Sequence, residues 1–516
     1  MNININEIFT YHNETKHAPQ RYARSLGYMD WSTQPDPFRS YEGAEKIKLP
    51  LSLGNATPPY HLIFDEQVPS APLLIQSISQ FFQFSLGLSA WKQAGTEKWA
   101  LRCNASSGNL QPSEAYIIAP PLKDISEQCS VSHYAPKHHH LEKLCEFEST
   151  FFDDLEAGSF LVGVSSITWR EVWKYGERAF RYCSLDAGHV LRALQISAYM
   201  LGWKLDVLTD IHDESLSKLL GLDQSKRFTS TEPEFPDMLL AISPRTKQTI
   251  DISSLIKDLP SSFEGKANML SPMHQEWEMI DRIEKASFSE SKPRKEINNL
   301  PVPRLASQES KNIVMQRRSA QMMNADNASI TQEQFYTLLS SVKESMDGFE
   351  NAANLVIFVH EVQELEKGLY LLVRNKSHLS SLKRLMRNSF IFEEIREDFY
   401  LLEKADFRSR AKSISCNQDI AADGAFSLGM LCEFSEQINL YGAHRYKELY
   451  WECGAIGQQL YLEATSLGLS ATGIGCYLDD SFHYLLGLDS NQFQSLYHFT
   501  IGRAIVDSRL TTLAPY

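Results

Sequence analysis

Hydrophobic and polar positions along this chain follow two periods, and the same succession of periods occurs twice. Helical spacing of apolar residues predicts a long amphipathic helix, with small residues on one face, from Leu185 to Leu201 and again from Glu452 to Leu467. Each run stops at a glycine, Gly202 or Gly468, where a helix C-terminus is expected. Extended segments follow at Trp203–Leu208 and Leu469–Ile474, then a short helix with an acidic start at Asp213 or Asp479. Each copy closes on an apolar strand, Met238–Ile242 or Tyr497–Ile501. The two copies hold one register: Gly188 matches Gly454, an offset of 454 − 188 = 266 residues. At that offset Tyr175-Gly176 falls on Tyr441-Gly442, and Asp186-Ala187-Gly188 on Glu452-Cys453-Gly454. Leu201-Gly202 falls on Leu467-Gly468, and Leu219–Asp223 on Leu485–Asp489. An ungapped register of this length marks a tandem duplication. Helices that outnumber widely separated strands predict an α+β fold.

Ahead of the first copy, helical spacing is predicted from Leu73 to about Trp91, and a short buried strand at Tyr116–Ala119. Between them lies Arg102–Tyr116, mostly small and amide residues around Gly108. Such a stretch packs badly as a core helix and suits a tight polar turn with a hydrogen-bonding edge. The run Lys137–Lys143 contains three histidines, but neighbours on a helix point in different directions, so no metal site is expected. The segment 251–309, rich in Ser, Pro, Lys and Glu, reads as a linker carrying one helix, Met273–Ala286. The expected domains are therefore 1–250, with an N-terminal extension, and 310–516.

Composition narrows the class of protein. The chain has 516 residues, too many for one typical core. Its formal charge of −14 argues against nucleic acid or an anionic membrane as the main partner. No basic leader and no membrane-length apolar window is present, so a cytoplasmic protein is expected. Eight scattered cysteines without a CxxC pair suggest reduced thiols rather than a disulfide framework or structural zinc.

Four passages resemble a known family. The chain is similar to a fused pair of nitroreductase-like flavoproteins, nearest the azoline-dehydrogenase (SagB/ThcOx) subgroup. Ser106-Ser107-Gly108-Asn109-Leu110-Gln111-Pro112 resembles the loop that meets the flavin pyrimidine ring, with Arg102 just ahead of it. Gln316-Arg317-Arg318-Ser319 resembles the motif that holds the FMN phosphate. Ala471–Tyr477, with Ile474, Gly475 and Cys476, resembles the turn beside flavin N5, and Ile501-Gly502-Arg503 the terminal strand whose basic residue meets the phosphate. The resemblance implies two domains, each a mostly antiparallel sheet wrapped by helices, packed as an intramolecular pseudo-dimer. It also implies FMN as cofactor. A forked guanidinium and a hydroxyl suit a phosphate dianion, and Gly473 and Gly475 would let backbone approach the isoalloxazine.

In this family each flavin lies between two subunits, and here the copies have diverged. The second keeps Arg317–Ser319, Gly473–Cys476 and Arg503, but reads Ser345–Asn354 where the pyrimidine loop would stand. The first keeps the loop, but reads Asp206–Asp210 at the N5 turn and Ile242-Ser243-Pro244 at the last strand. One composite FMN site per chain is therefore expected. The resemblance also makes Lys174-Tyr175 candidate catalytic bases, since azoline oxidases carry a Lys-Tyr pair there; the second copy has Leu440 at the position of Lys174. The expected activity is hydride transfer between flavin N5 and a small or modified-peptide heterocycle. An NAD(P)H-dependent nitro or quinone reductase, and a non-catalytic flavin-binding or scaffold protein, stay open, as does further homo-oligomerisation.

Overall fold

A computed structural model describes residues 3–65, 67–229, 232–245, 250–297, 302 and 304–516. It divides into two compact units. One holds Ser25–Pro293, Pro303–Gln316 and Arg509–Tyr516, the other Met1–Arg24, Arg294–Val302 and Arg317–Ser508.

Each unit is built on a seven-stranded antiparallel sheet. In the unit of the first copy the order is Glu45–Lys48, His140–Phe147, Cys129–Ala135, Ser113–Ala119, Phe160–Ser166, Phe235–Ser243, Lys204–Val207. In the unit of the second it is Glu393–Arg396, Phe399–Lys404, Gly368–Leu372, Ala353–Val359, Phe426–Glu433, Phe493–Gly502, Ser470–Ile474. Six strands match in both position and chain order. The seventh, at one edge, comes from the N-terminal segment in one copy and from a hairpin in the other. Central strands such as Ser113–Ala119 and Ala353–Val359 are buried on both faces, because helices cover both sides of each sheet.

The duplication extends to individual helix ends. The long helix Ala179–Met200 has its counterpart at Arg445–Ser466, and the short helix Asp213–Leu220 at Asp479–Leu486, all at the offset of 266. Each short helix ends on a left-handed glycine, Gly221 or Gly487. Strand glycines set how closely it packs. A Cβ on Gly163 would stand 2.5 Å from Leu220, and one on Gly429 2.6 Å from Phe482. Around these contacts lie the apolar cores, with Leu161, Leu219 and Leu239 in one unit and Phe358, Leu431 and Leu486 in the other.

Three local expectations need correction. The long helices are not amphipathic: all residues of Ala179–Met200 except Tyr199 are buried. That helix lies beside the sheet and is covered by the helices Ile75–Gln83, Thr168–Tyr175 and Glu278–Ser287. Second, the helix ahead of the polar loop covers only Ile75–Gln83, and Leu88–Ala94 is a strand paired with Glu97–Arg102 and Thr511–Leu513. The chain folds back at Gly87, where a Cβ would meet Gln83 O at 2.5 Å, and the strand then pairs with the next segment as a hairpin, with the C-terminal strand added at its edge. Third, the histidine run is a hairpin turn, not a helix, with His139 at φ 49°. His139 is buried between Ser79 Oγ, at 2.7 Å, and Tyr134 Oη, at 2.9 Å.

The segment 251–309 carries more structure than one helix. Ser253–Asp258 is helical, Lys266–Ala267 pairs with Tyr41–Glu42, and the helix expected from Met273 begins at Glu278. Residues 298–301 and 303 of this segment lie outside the described residues. Among the described residues no helix is long and apolar enough to cross a membrane, and no group of three or more His, Cys, Asp or Glu is placed to hold a metal.

Candidate functional site

In the first copy the strand Glu97–Arg102 delivers the chain into the polar loop. Arg102 is buried; it donates to Pro37 O and stacks over Phe38 at 5.6 Å, and burial pulls its guanidinium down to about 10. The loop closes in a single turn over Ser107–Asn109, with Gly108, Asn109 and Gln111 all at positive φ. Three left-handed residues in four are costly in isolation, and side-chain bonds hold them there. Ser106 Oγ accepts from Gln111 N at 2.8 Å. Asn109 Nδ2 donates to Ala100 O at 2.9 Å, and its Oδ1 accepts from Gln111 Nε2 at 3.2 Å. Arg170 Nη1 donates to Gln111 O at 2.7 Å. These side chains shape the loop and leave Gly108 exposed at its surface.

Asp186, on the long helix, anchors the turn. Its carboxylate accepts from Ser107 N at 2.9 and 3.0 Å and from Ser107 Oγ at 2.9 Å. Burial pushes its carboxyl up to about 7, against the opposing pull of the bonds from Ser106 and Ser107. At the matching position of the second copy, Glu452 accepts from Ala352 N at 3.0 Å and Ala353 N at 3.1 Å. Both copies therefore use a carboxylate of the central helix to hold the chain ahead of the same strand.

Lys174 and Tyr175 end the helix Thr168–Tyr175, which stops at Gly176. Their tips lie against the loop. A Cβ on Gly108 would stand 2.8 Å from Tyr175 Oη and 3.1 Å from Lys174 Nζ. Lys174 Nζ sits 5.3 Å above the Tyr175 ring, and that ring packs on Tyr182 with centroids 4.4 Å apart. One turn earlier on the same helix Glu171 is buried, and neither carboxylate oxygen has a hydrogen-bond partner among the described residues. Burial, then the nearby Asp186, push its carboxyl well above the usual range, against the opposing pull of Lys174.

The second copy gathers the other three motifs. Ser319 bridges to Ala471, and Ala320 N donates to Ala471 O at 3.0 Å, which lays Arg317–Ser319 along the turn. Asn324 N donates to Arg503 O at 2.8 Å and brings in the terminal strand. Tyr461, on the long helix, ties the group together. Its hydroxyl accepts from Gly473 N at 2.9 Å, lies 2.9 Å from Ser319 Oγ, and its ring carries the Arg317 guanidinium at 5.3 Å. Arg318 Nη1 donates to Arg317 O at 2.6 Å. Ser319 is exposed, and the buried Nε of Arg503 has no hydrogen-bond partner among the described residues. A hydroxyl at the surface and a guanidinium with an unsatisfied Nε suit a phosphate. Ile474 is buried, whereas Gly475 and Cys476 are part-exposed. Gly473 also meets a packing need, since a Cβ there would stand 1.9 Å from Tyr497 Oη.

The stretch Ser345–Asn354 is closed by its own unit. Ile297 N donates to Gly348 O at 3.0 Å and Glu350 N to Lys295 O at 2.9 Å, so residues 295–297 run along it. Arg294 pairs with Asp347 at 2.9 Å and Glu448 at 3.3 Å, and stacks over Phe349 at 4.1 Å.

Fold and motifs converge with the similarity to known proteins. The Nitroreductase family model matches residues 96–231 and 314–503, one segment in each copy. The chain belongs to the nitroreductase family. The nitroreductase-fold halves are the two copies, and members of the family are oxidoreductases. A structure from Anabaena variabilis, assigned as a nitroreductase, aligns over 97% of this chain and 99% of its own, with TM-score 0.71 and 21% identity. An Exiguobacterium sibiricum structure assigned as a nitroreductase in complex with FMN aligns over 39% of this chain and 91% of its own (TM-score 0.26, 14% identity). The E. coli microcin synthetase McbBCD complex, with truncated pro-MccB17 bound, aligns over 47% of this chain and 94% of that chain (TM-score 0.27, 15% identity). Comparison with curated proteins gave no match.

Sequence reasoning missed Tyr461, Glu171 and Asp186. The offset of 266 carries a trace of the first and last: Tyr461 falls on Gln195, a difference between copies, and Glu452 on Asp186, an acid kept. Glu171 lies three residues before Lys174, the spacing that puts both on one helix face.

Proposed function

We propose that this protein is an FMN-dependent oxidoreductase of the azoline-dehydrogenase type, moving a hydride between flavin N5 and a heterocyclic or peptide-borne substrate. The observation that carries this reading is the meeting of Lys174 Nζ and Tyr175 Oη with the bare Gly108 of the loop, where any side chain would fill the space. Arg317, Ser319 and Arg503 would hold the phosphate, and the orphaned Arg503 Nε supports that role. When bound, FMN supplies a two-electron acceptor at N5.

Removal of hydride from a ring carbon requires a proton to leave the neighbouring atom. Lys174 Nζ takes that proton, and Tyr175 Oη orients the substrate beside it. Glu171 lies buried behind Lys174, and burial together with Asp186 raises its carboxyl, which disfavours a competing carboxylate charge beside the base. The loop residues occur in one copy and the phosphate residues in the other, and 294–297 closes the comparable stretch of the second copy. One flavin per chain follows.

The purified full-length protein tests this directly. It is expected to be yellow, to hold close to one FMN per chain, and to resist anaerobic bleaching by NADPH. Bleaching by NADPH would favour a nitro or quinone reductase. Two flavins per chain would overturn the single site, and a colourless protein incapable of taking up FMN would overturn the assignment.

A further inference from the structure

No disulfide joins any of the eight cysteines, yet two pairs of cysteine sulfurs approach each other. Cys432 and Cys453 lie 3.5 Å apart in the core, both fully buried. Cys416 and Cys476 lie 2.6 Å apart, far inside the separation of two unbonded sulfurs, and both are part-exposed. They come from segments 60 residues apart in sequence. Cys416 sits with Asn417 in a left-handed turn, at φ 53° and 60°, between the helices Arg408–Ile414 and Ile420–Asp423. Cys476 follows the strand Ser470–Ile474. Two further bonds hold the segments side by side: Gln418 Nε2 to Cys476 O at 3.0 Å, and Leu478 N to Ile414 O at 2.7 Å. The approach of the sulfurs is thus fixed by one backbone–backbone bond and one side chain–backbone bond between the segments that carry them. Tyr22 adds a hydroxyl beside Cys416, and its own side chain is about half exposed, so a small molecule reaches this edge.

We propose that Cys416 and Cys476 form a redox-active dithiol that closes to a disulfide by exchange with small-molecule disulfides. One cysteine thiolate attacks a sulfur of the incoming disulfide; a mixed disulfide forms and a thiolate leaves. The second cysteine attacks the mixed disulfide at the protein sulfur and expels the remaining thiolate. Two cysteine thiols are oxidised, one external disulfide is reduced to two thiols, and both cysteine protons pass to the leaving thiolates. Closure ties the turn carrying Gly475 and Cys476 to the loop at 416–418. The exchange needs no flavin, so its outcome is independent of the proposed cofactor.

The test is thiol mapping on the full-length protein. Reduced protein is incubated with oxidised glutathione over a series of glutathione ratios, quenched in acid, alkylated under denaturing conditions and digested. The expected result is a Cys416–Cys476 cross-linked peptide, two of the eight thiols lost to alkylation, and an intact mass lower by about 2 Da for the two hydrogens removed. Cys432 and Cys453, without solvent access, are expected to stay alkylatable throughout and serve as the internal control. C476S is expected to leave Cys416 as a mixed disulfide with glutathione, which shows the resolving role of Cys476 even if the substitution alters stability. Eight alkylatable thiols at every ratio, or a link through any other pair, would overturn the proposal.

Discussion

Replacement of Asp186 by Asn separates the charge of the loop anchor from its shape. The carboxylate accepts three bonds from Ser107, so its ionised form is well placed, yet burial lifts it from an ordinary 3.8 to about 7. A raised acid binds its proton more tightly in the folded chain than in the unfolded one. Its stabilisation is therefore complete below about pH 4 and is lost as pH rises through about 7. The shift is 7 − 3.8, about 3 units, or about 4 kcal/mol at 1.36 kcal/mol per unit. Between pH 5 and 7 the loss is about 2 kcal/mol. D186N keeps an acceptor oxygen for Ser107 and has no proton to lose. Relative to wild type it is expected to gain stability as pH rises from 5 to 8. At roughly 2 °C per kcal/mol for a unit of this size, the melting temperatures should diverge by on the order of 5 °C. Thermal scans of both proteins at pH 5, 6, 7 and 8 read the effect, and their difference cancels the titrating groups that do not interact with Asp186. A difference that does not change with pH, or one in which wild type gains on the variant as pH rises, would refute the reasoning. The second outcome would mean that the bonds from Ser107 outweigh burial.

Four further outcomes are expected. K174A should reduce turnover to background while FMN content by absorbance stays the same; unchanged turnover removes Lys174 from the chemistry. Y461F deprives the Gly473 N–H and Ser319 of their shared hydroxyl, a loss of about 1–3 kcal/mol; FMN titration should show roughly tenfold weaker binding or more. G108A places a Cβ 2.8 Å from Tyr175 Oη at φ 59°, a strain of about 1–2 kcal/mol confined to the loop. Its melting temperature should fall by only a few degrees while turnover falls strongly, and equal turnover would show that the space is unused. R294A leaves Asp347 without its guanidinium, whereas Glu448 keeps Arg445 at 3.1 Å and His444 at 3.2 Å, so the loss should stay at about 3 kcal/mol, the low end for a buried pair broken on one side; urea unfolding should shift accordingly.

The duplication was the most legible feature, because it rests on short-range signals: helical periodicity, glycine stops and acidic helix starts, each repeated at one offset. Those signals placed the helices Asp213–Leu220 and Asp479–Leu486 and the closing strands Phe235–Ser243 and Phe493–Gly502. They failed where a turn redirects the chain. Leu88–Ala94 has apolar residues that suit a helix, but the chain turns at Gly87 and Glu97–Arg102 pairs it back as a hairpin, with Thr511–Leu513 added along the other edge. Buried helices also mislead: Ala179–Met200 carries polar residues on every side, yet other elements cover all but Tyr199.

The candidate site divides along the same line. Sequence by itself determined which residue types stand at the loop, the phosphate motif and the turn, and which copy keeps each, because a motif is a local string. Only the tertiary structure decided what those residues touch. Asp186 meets Ser107 across 79 residues, and Tyr461 meets Ser319 across 142. Gly108 faces Lys174 and Tyr175, and Cys416 faces Cys476, only once the chain is folded. The physical reason is that hydrogen bonds and close packing act over a few ångströms in space, whereas periodicity and capping act over a few residues in sequence. The first kind of information enters the chain only when its sheets close.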